Sequence, residues 1–149
     1  MSLFVRRLKV QDFPLLDALE AAVEAQSPER AGWLRRCRKL LEVTVSEEPE
    51  GLLVAELDGR IAGWAAARQR GTDPMTGETY GHILHVSVAP DGGWPLVGAR
   101  LFREAEAYLR SRGCRSVHAS IPADVPEASS LLKRAGYRVA GFELTRDLA

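Results

Sequence analysis

The stretch from His82 to Gly113 constrains this chain more than any other. It reads His-Ile-Leu-His-Val-Ser-Val-Ala-Pro, then Asp-Gly-Gly-Trp-Pro-Leu-Val-Gly, then a long amphipathic run. Apolar and β-branched residues dominate His82 to Val88, as in a strand, and Pro90 ends it because proline has no N–H to give a ladder. Gly92 and Gly93 permit a sharp turn, and Pro95 suits the first helical position, where a missing N–H costs nothing. Val97, Leu101, Ala105, Tyr108 and Leu109 then recur at helical spacing, and Gly113 is placed to stop the helix. A glycine-rich turn entering a helix aims unpaired N–H groups and a positive dipole end at one spot. That arrangement suits a phosphate.

The flanking sequence supplies a sheet for this unit. Leu3 to Leu8 reads as a first strand and Gln11 to Glu24 as a helix, with Leu15, Leu16, Leu19 and Val23 on one face and Asp12 as a cap. Ser27-Pro28-Glu29 opens a second helix whose stripe is Trp33/Leu34, Cys37, Leu40 and Leu41. Its other side carries Arg35, Arg36, Arg38 and Lys39. This cluster suits phosphates or an acidic substrate, but a solvated face balanced by Glu47, Glu48 and Glu50 is the plainer reading. Leu52 to Leu57, Asp58-Gly59 and Arg60 to Arg68 form a hairpin, since Asp-Gly favours the primed turn that matches strand twist. Arg70 to Thr79 is a polar loop and Tyr80 to Val88 the next strand, which makes an antiparallel meander.

Beyond the long helix, Ser116 to Ile121 alternates as a strand and Pro126 to Ala135 is a short helix stopped by Gly136. Tyr137 to Phe142 and Glu143 to Leu148 complete the order as paired strands. The strand ending at Val88 and the strand from Ser116 flank one crossover helix, so they are expected to run parallel. The expected fold is α/β (α+β): one domain over residues 1–149, with a mixed, mostly antiparallel sheet in the order β-α-α-β-β-β-α-β-α-β-β.

Composition narrows the classes. Hydrophobic residues make up 46% and charged residues 27% of the 149, which excludes disorder and fits one domain with a full core. A formal net charge of zero gives no global field for nucleic acid, and no run reaches the length of a membrane span. Cys37 and Cys114 lie far apart without metal spacing, and the three histidines lack ligand spacing, so no metal is expected. The start of the chain lacks a secretory apolar core and the two thiols read as buried and reduced, so the expected compartment is the cytoplasm.

Val86-x-Val88-x-Pro90, the six-residue turn and Gly98-x-x-Leu101 resemble the GNAT N-acetyltransferases, and the element order resembles theirs as well. The resemblance implies acetyl-CoA as cosubstrate and a small-molecule or peptide amine as acceptor, without nucleic acid or membrane. A homodimer paired through the C-terminal strands is a further expectation. In that family two parallel strands splay apart and pantetheine bonds to the main chain of the fourth strand, here Val86, Ser87 and Val88. Aligned from Val88-Ala89-Pro90, the basic or amide position of the pyrophosphate pattern falls on Gly93, and its glycine positions fall on Trp94, Leu96 and Gly98. Only Gly98 is kept. The resemblance still implies cofactor contacts from Gly93 and the amides of Leu96, Val97, Gly98 and Ala99.

The family's strand-four glutamate falls on His82, whose imidazole titrates near neutrality and suits a general base. Glu78 and Tyr80 are alternatives for binding a cationic amine. His85 lies three residues on and faces the opposite side unless a bulge turns it. The family's asparagine and acid tyrosine fall on Val125 and Leu132, neither of which gives a proton. Ser129 shares a helix face with both and is the candidate for protonating the leaving thiolate. Trp33 and Trp64 suit either a substrate wall or the core. The leading function is acetyl transfer to a primary amine by direct attack. The alternative is a non-catalytic domain of the same fold that binds another ligand or a protein partner.

Overall fold

The hairpin of Leu52–Leu57 and Arg60–Thr72 sets the sheet. Asp58 and Gly59 both take positive φ, 51° and 81°, as the primed two-residue turn requires. This computed structural model describes residues 2–26, 33–91, 93–121 and 125–149, without the side chains of residues 33–37 and 40. Among them, β1 (Leu3–Arg7), β2 (Leu52–Leu57), β3 (Arg60–Thr72) and β4 (Thr79–Val88) pair antiparallel in order, and β5 (Ser116–Ala119) pairs with β4 in parallel. The expected meander and the parallel crossover are both present.

Strand alternation divides the core. Leu53, Ala55, Ala65, Ala67, Ile83, Val86 and Val88 meet Leu101, Phe102, Ala105 and Leu109 of α3 (Ala99–Ser111), and Leu132 of α4 (Pro126–Arg134) joins them. Leu52, Val54, Trp64 and Ala66 meet α1 (Phe13–Glu24) and Leu41 of α2 (Trp33–Glu47) on the other face. Fully burying an apolar side chain is worth roughly 1.5–3 kcal/mol, so each face holds its helices by several such contacts.

Local differences have local causes. The start of α1 is a 3-10 turn over Val10–Asp12, and Asp12 binds the Arg6 guanidinium at 2.8 and 2.9 Å and the Lys9 amide at 2.7 Å. The expected opening of the second helix at Ser27-Pro28-Glu29 lies outside the described residues. β3 runs on to Thr72, so the expected loop from Arg70 shrinks to a turn in which Asp73 accepts the Met75 amide at 2.8 Å. Glu47 and Glu48 pair with Arg68 at 3.4 and 3.6 Å, and Glu50 with Arg112 at 3.9 Å, whereas the side chains of Arg35 and Arg36 lie outside the described residues. Arg38 pairs with Asp17 at 2.5 Å.

The two C-terminal strands are not formed. Residues 138–149 carry no ladder, and Val139, Phe142, Leu144 and Leu148 are exposed. The apolar positions change phase across Ala140-Gly141, so no single face gathers them, and a lone short hairpin is marginal without a sheet to join.

Candidate active site

β4 and β5 part company midway along β4. Their register pairs run from Tyr80↔Ser116 to Ile83↔Ala119, and the last bond is from the Ser120 amide to the Ile83 carbonyl at 3.2 Å. Beyond Ile83, β4 pairs only with β3. The register there jumps from Ala67↔Ile83 to Ala66↔His85, so Leu84 is an extra residue in a β-bulge. The Ala89 amide bonds the Ala62 carbonyl of β3 at 2.8 Å, and alternation then directs the main chain of Ser87 to β3 as well. The N–H and C=O groups of Val86 and Val88 are left facing the opened side. Ser87 is therefore corrected as a main-chain cofactor contact: its backbone serves the sheet and its side chain is buried.

The bulge also decides the histidines. It brings His85 onto the face of Trp64 and Ala66, which is the face of His82 too. His85 is buried there, its ring 4.7 Å from Trp64, with Nε2 at 2.8 Å from Ser87 Oγ and 3.2 Å from Glu20 Oε1. Ser87 donates to the same Glu20 oxygen at 2.5 Å and Trp64 Nε1 donates at 2.8 Å. Burial pushes the Glu20 carboxyl up, but the hydrogen bond and charge of His85, with the bonds from Ser87 and Trp64, outweigh it and hold the group at about 2. Trp64 is wholly buried and belongs to the core. The side chain of Trp33 lies outside the described residues.

His82 is half-buried where the strands separate, with Nε2 2.7 Å from Ser120 Oγ. Burial and the nearby Arg70 and His118 push its imidazole below the ordinary value, against an opposing pull from Glu143. Tyr80, His82, His118 and Ser120 share one face, and His118 binds Asp73 Oδ2 at 3.1 Å while its ring meets that of Tyr80 at 4.7 Å between centroids, tilted by 47°. A cavity of about 1000 Å³ along the outer edge of β5 takes in Tyr80, His82, His118, Ser120 and Ser129. Ser129 of α4 is half-buried in its wall, so the two side chains expected to move protons line one space. Leu132 is buried in the α3-side core, and Glu78 is exposed.

The turn before α3 departs from a plain helix start. Gly93, at φ 80°, opens a π-helical turn over Gly93–Gly98, and α3 follows from Ala99. Pro95 thus falls inside the first turn rather than at its first position, still where no intrahelical acceptor needs its missing N–H. A wide turn leaves the amides of its opening residues without intrahelical partners, a donor set that suits pyrophosphate. Leu96 is 38% exposed, whereas the Val97 side chain is buried and anchors the turn to the core. The Trp94 indole lies over Gly98, where an added Cβ would stand 2.5 Å from its Cε3. Gly98 is thus required by the indole as well as by the motif.

Four residues of this region were not singled out from the sequence: Glu20, Asp73, His118 and Ser120. Two signals existed. Ser116, His118 and Ser120 alternate as a polar row on a strand with a parallel partner, where both faces ordinarily read apolar. Leu16, Glu20 and Val23 lie one above another on α1, which puts an acid in the apolar stripe.

Comparison with known proteins agrees with this geometry. Residues 16–137 match the profile described as the acetyltransferase (GNAT) family. The chain is 33% identical over 126 residues to a mycothiol acetyltransferase of Stackebrandtia nassauensis, covering 83% of this chain and 40% of that protein. A mycothiol acetyltransferase of Cellulomonas flavigena is 34% identical over 94 residues, covering 60% and 27%. The chain thus spans less than half the length of these relatives. Among solved structures, a transcriptional regulator from Bacillus halodurans C-125 superposes with a TM-score of 0.77 at 17% identity, covering 99% of this chain and all of that one. A glucosamine-6-phosphate N-acetyltransferase from Arabidopsis thaliana gives 0.73 at 14%, with complete coverage of both. The profile match spans most of the sequence and the splayed strands lie within it: the chain belongs to the acetyltransferase (GNAT) family.

Proposed function

We propose that this chain transfers an acetyl group from acetyl-CoA to a primary amine by direct attack. The observation that carries the reading is the opened edge of β4: main-chain groups of Val86 and Val88 face a gap at whose mouth His82 and Ser120 lie 2.7 Å apart. An extended pantetheine arm fits such an edge as an added strand does, and the amides of Gly93, Leu96, Val97, Gly98 and Ala99 are the candidates to receive the pyrophosphate. An N–H of Val86 or Val88 would polarise the thioester carbonyl.

The steps balance with these residues. The acceptor arrives as an ammonium and gives one proton to His82, directly or through the Ser120 hydroxyl. The neutral nitrogen attacks the thioester carbon, the C–S bond breaks, and the second nitrogen proton goes to the thiolate by way of Ser129 or solvent. Held mostly neutral by its surroundings, His82 is in the form that accepts a proton. The enzyme's larger contribution is to hold the two reactants together.

The test is release of free CoA thiol from acetyl-CoA by the purified chain, with and without a panel of primary amines. Amine-dependent release supports the reading, and a rate equal to the protein-free control across the panel sinks it. Two observations favour the second reading, a non-catalytic domain. Trp94 lies over the single glycine kept from the phosphate pattern, and Leu132 stands where the family places a proton donor. A folded chain without CoA affinity would favour that reading.

A further inference from the structure

His82 has an imidazole neighbour that the sequence did not single out. His118 is its register partner across β4 and β5, so both rings leave the sheet on the same face and line the same cavity. The two differ in what holds them. His118 Nε2 lies 3.1 Å from Asp73 Oδ2, and the Asp73 side chain is only 6% exposed. An ionised carboxylate only accepts, so this bond places a hydrogen on His118 Nε2 and sets a negative charge beside that ring. The Tyr80 ring also packs against it, with centroids 4.7 Å apart. His82 has a hydroxyl, Ser120, in place of a carboxylate.

Two adjacent imidazoles do not both carry charge cheaply. We propose that Asp73 and His118 are positioning residues that draw the pair's proton to His118 and so keep His82 free to accept one from the acceptor amine. This deepens the acetyltransferase reading and rests on it. Among the described residues, the other groups facing His82 are Arg68 and Arg70 of β3, Tyr80 of its own strand and Glu143 of the C-terminal segment. Arg68 is spoken for by Glu47 and Glu48. Arg70 acts in the same sense as His118 and Glu143 against it. Arg68 is also a register partner of His82 held by carboxylates, but it is a guanidinium; among these described groups His118 is the imidazole, the one able to share a proton with His82.

The experiment follows the His82 ring by NMR in the full chain with labelled histidine, alongside the pH dependence of kcat, for the wild type, His118→Gln and Asp73→Asn. The expected result is that both substitutions raise the His82 titration midpoint by about one pH unit, the size of effect a neighbouring charge exerts. The acid limb of kcat would rise with it, so that activity falls most at low pH and recovers as pH increases. An unchanged His82 midpoint in both variants overturns the proposal, as does a loss of kcat equal at every pH. A wild-type chain that transfers no acetyl group overturns the catalytic reading instead, and the NMR titration still reports whether the pair shares its proton as described. Asp73→Asn also loosens the turn after β3, whereas His118 side chain is 43% exposed, so His118→Gln keeps the test clear of folding effects.

Discussion

His82 Nε2 and Ser120 Oγ sit 2.7 Å apart, the first on β4 and the second just past the end of its parallel partner β5, at the place where those strands separate. The pair joins a titratable nitrogen to a hydroxyl at the end of the gap. Replacing His82 with Ala is expected to lower kcat/KM about 100-fold, the lower end of what a general base contributes, with CoA affinity retained. Ser120→Ala should cost less, about 10-fold, because water can take the hydroxyl's place. Steady-state kinetics with one fixed amine measure both.

The depressed His82 value makes a pH prediction with a definite sign. A base is active when unprotonated, so a folded value below the ordinary 6.5 moves the acid limb of kcat below pH 6.5 and leaves His82 available at neutrality. A kcat profile already half-lost above pH 7 would contradict this.

Glu20 predicts the acid stability of the fold. Its value of about 2 lies below the ordinary 4.5, so its stabilising contribution is complete above about pH 4.5 and is lost as pH falls towards 2. The shift corresponds to about 3 kcal/mol at most. Glu20→Gln should lower stability at pH 7 and flatten its dependence between pH 5 and 2, as read by urea unfolding across that range.

Much of the fold was legible because its signals are local. Asp58-Gly59 between two apolar runs specifies a primed turn whatever surrounds it, and the helical spacing from Val97 to Leu109 specifies one buried face. The bulge at Leu84 was not legible, because an extra residue in a strand depends on its partner's register. It changed the standing of His85 and Ser87 together, burying both against Glu20. The pairing of His118 with Asp73 was hidden for the same reason, since 45 residues separate them in the chain. The C-terminal strands were overread, because alternation in a short segment says nothing about whether a sheet edge receives it.

Gly98 tests the altered turn. An alanine there would place its Cβ 2.5 Å from the Trp94 ring, so the indole must shift or the turn must open. Overpacking of this kind costs roughly 1–3 kcal/mol. Gly98→Ala should lower the melting midpoint, and Gly98→Ala combined with Trp94→Ala should recover part of that loss, since the clashing ring is gone. Thermal unfolding of the single and double variants measures the coupling.

The measurement that bears most directly on the central claim is calorimetric titration of the purified chain with acetyl-CoA and, separately, with desulfo-CoA. The account predicts micromolar binding of both ligands to a single site, because the pyrophosphate and pantetheine contacts it assigns to Gly93–Ala99, Val86 and Val88 do not need the sulfur. No heat and no competition at millimolar ligand, with the chain folded, would contradict it and leave the opened edge of β4 to another ligand.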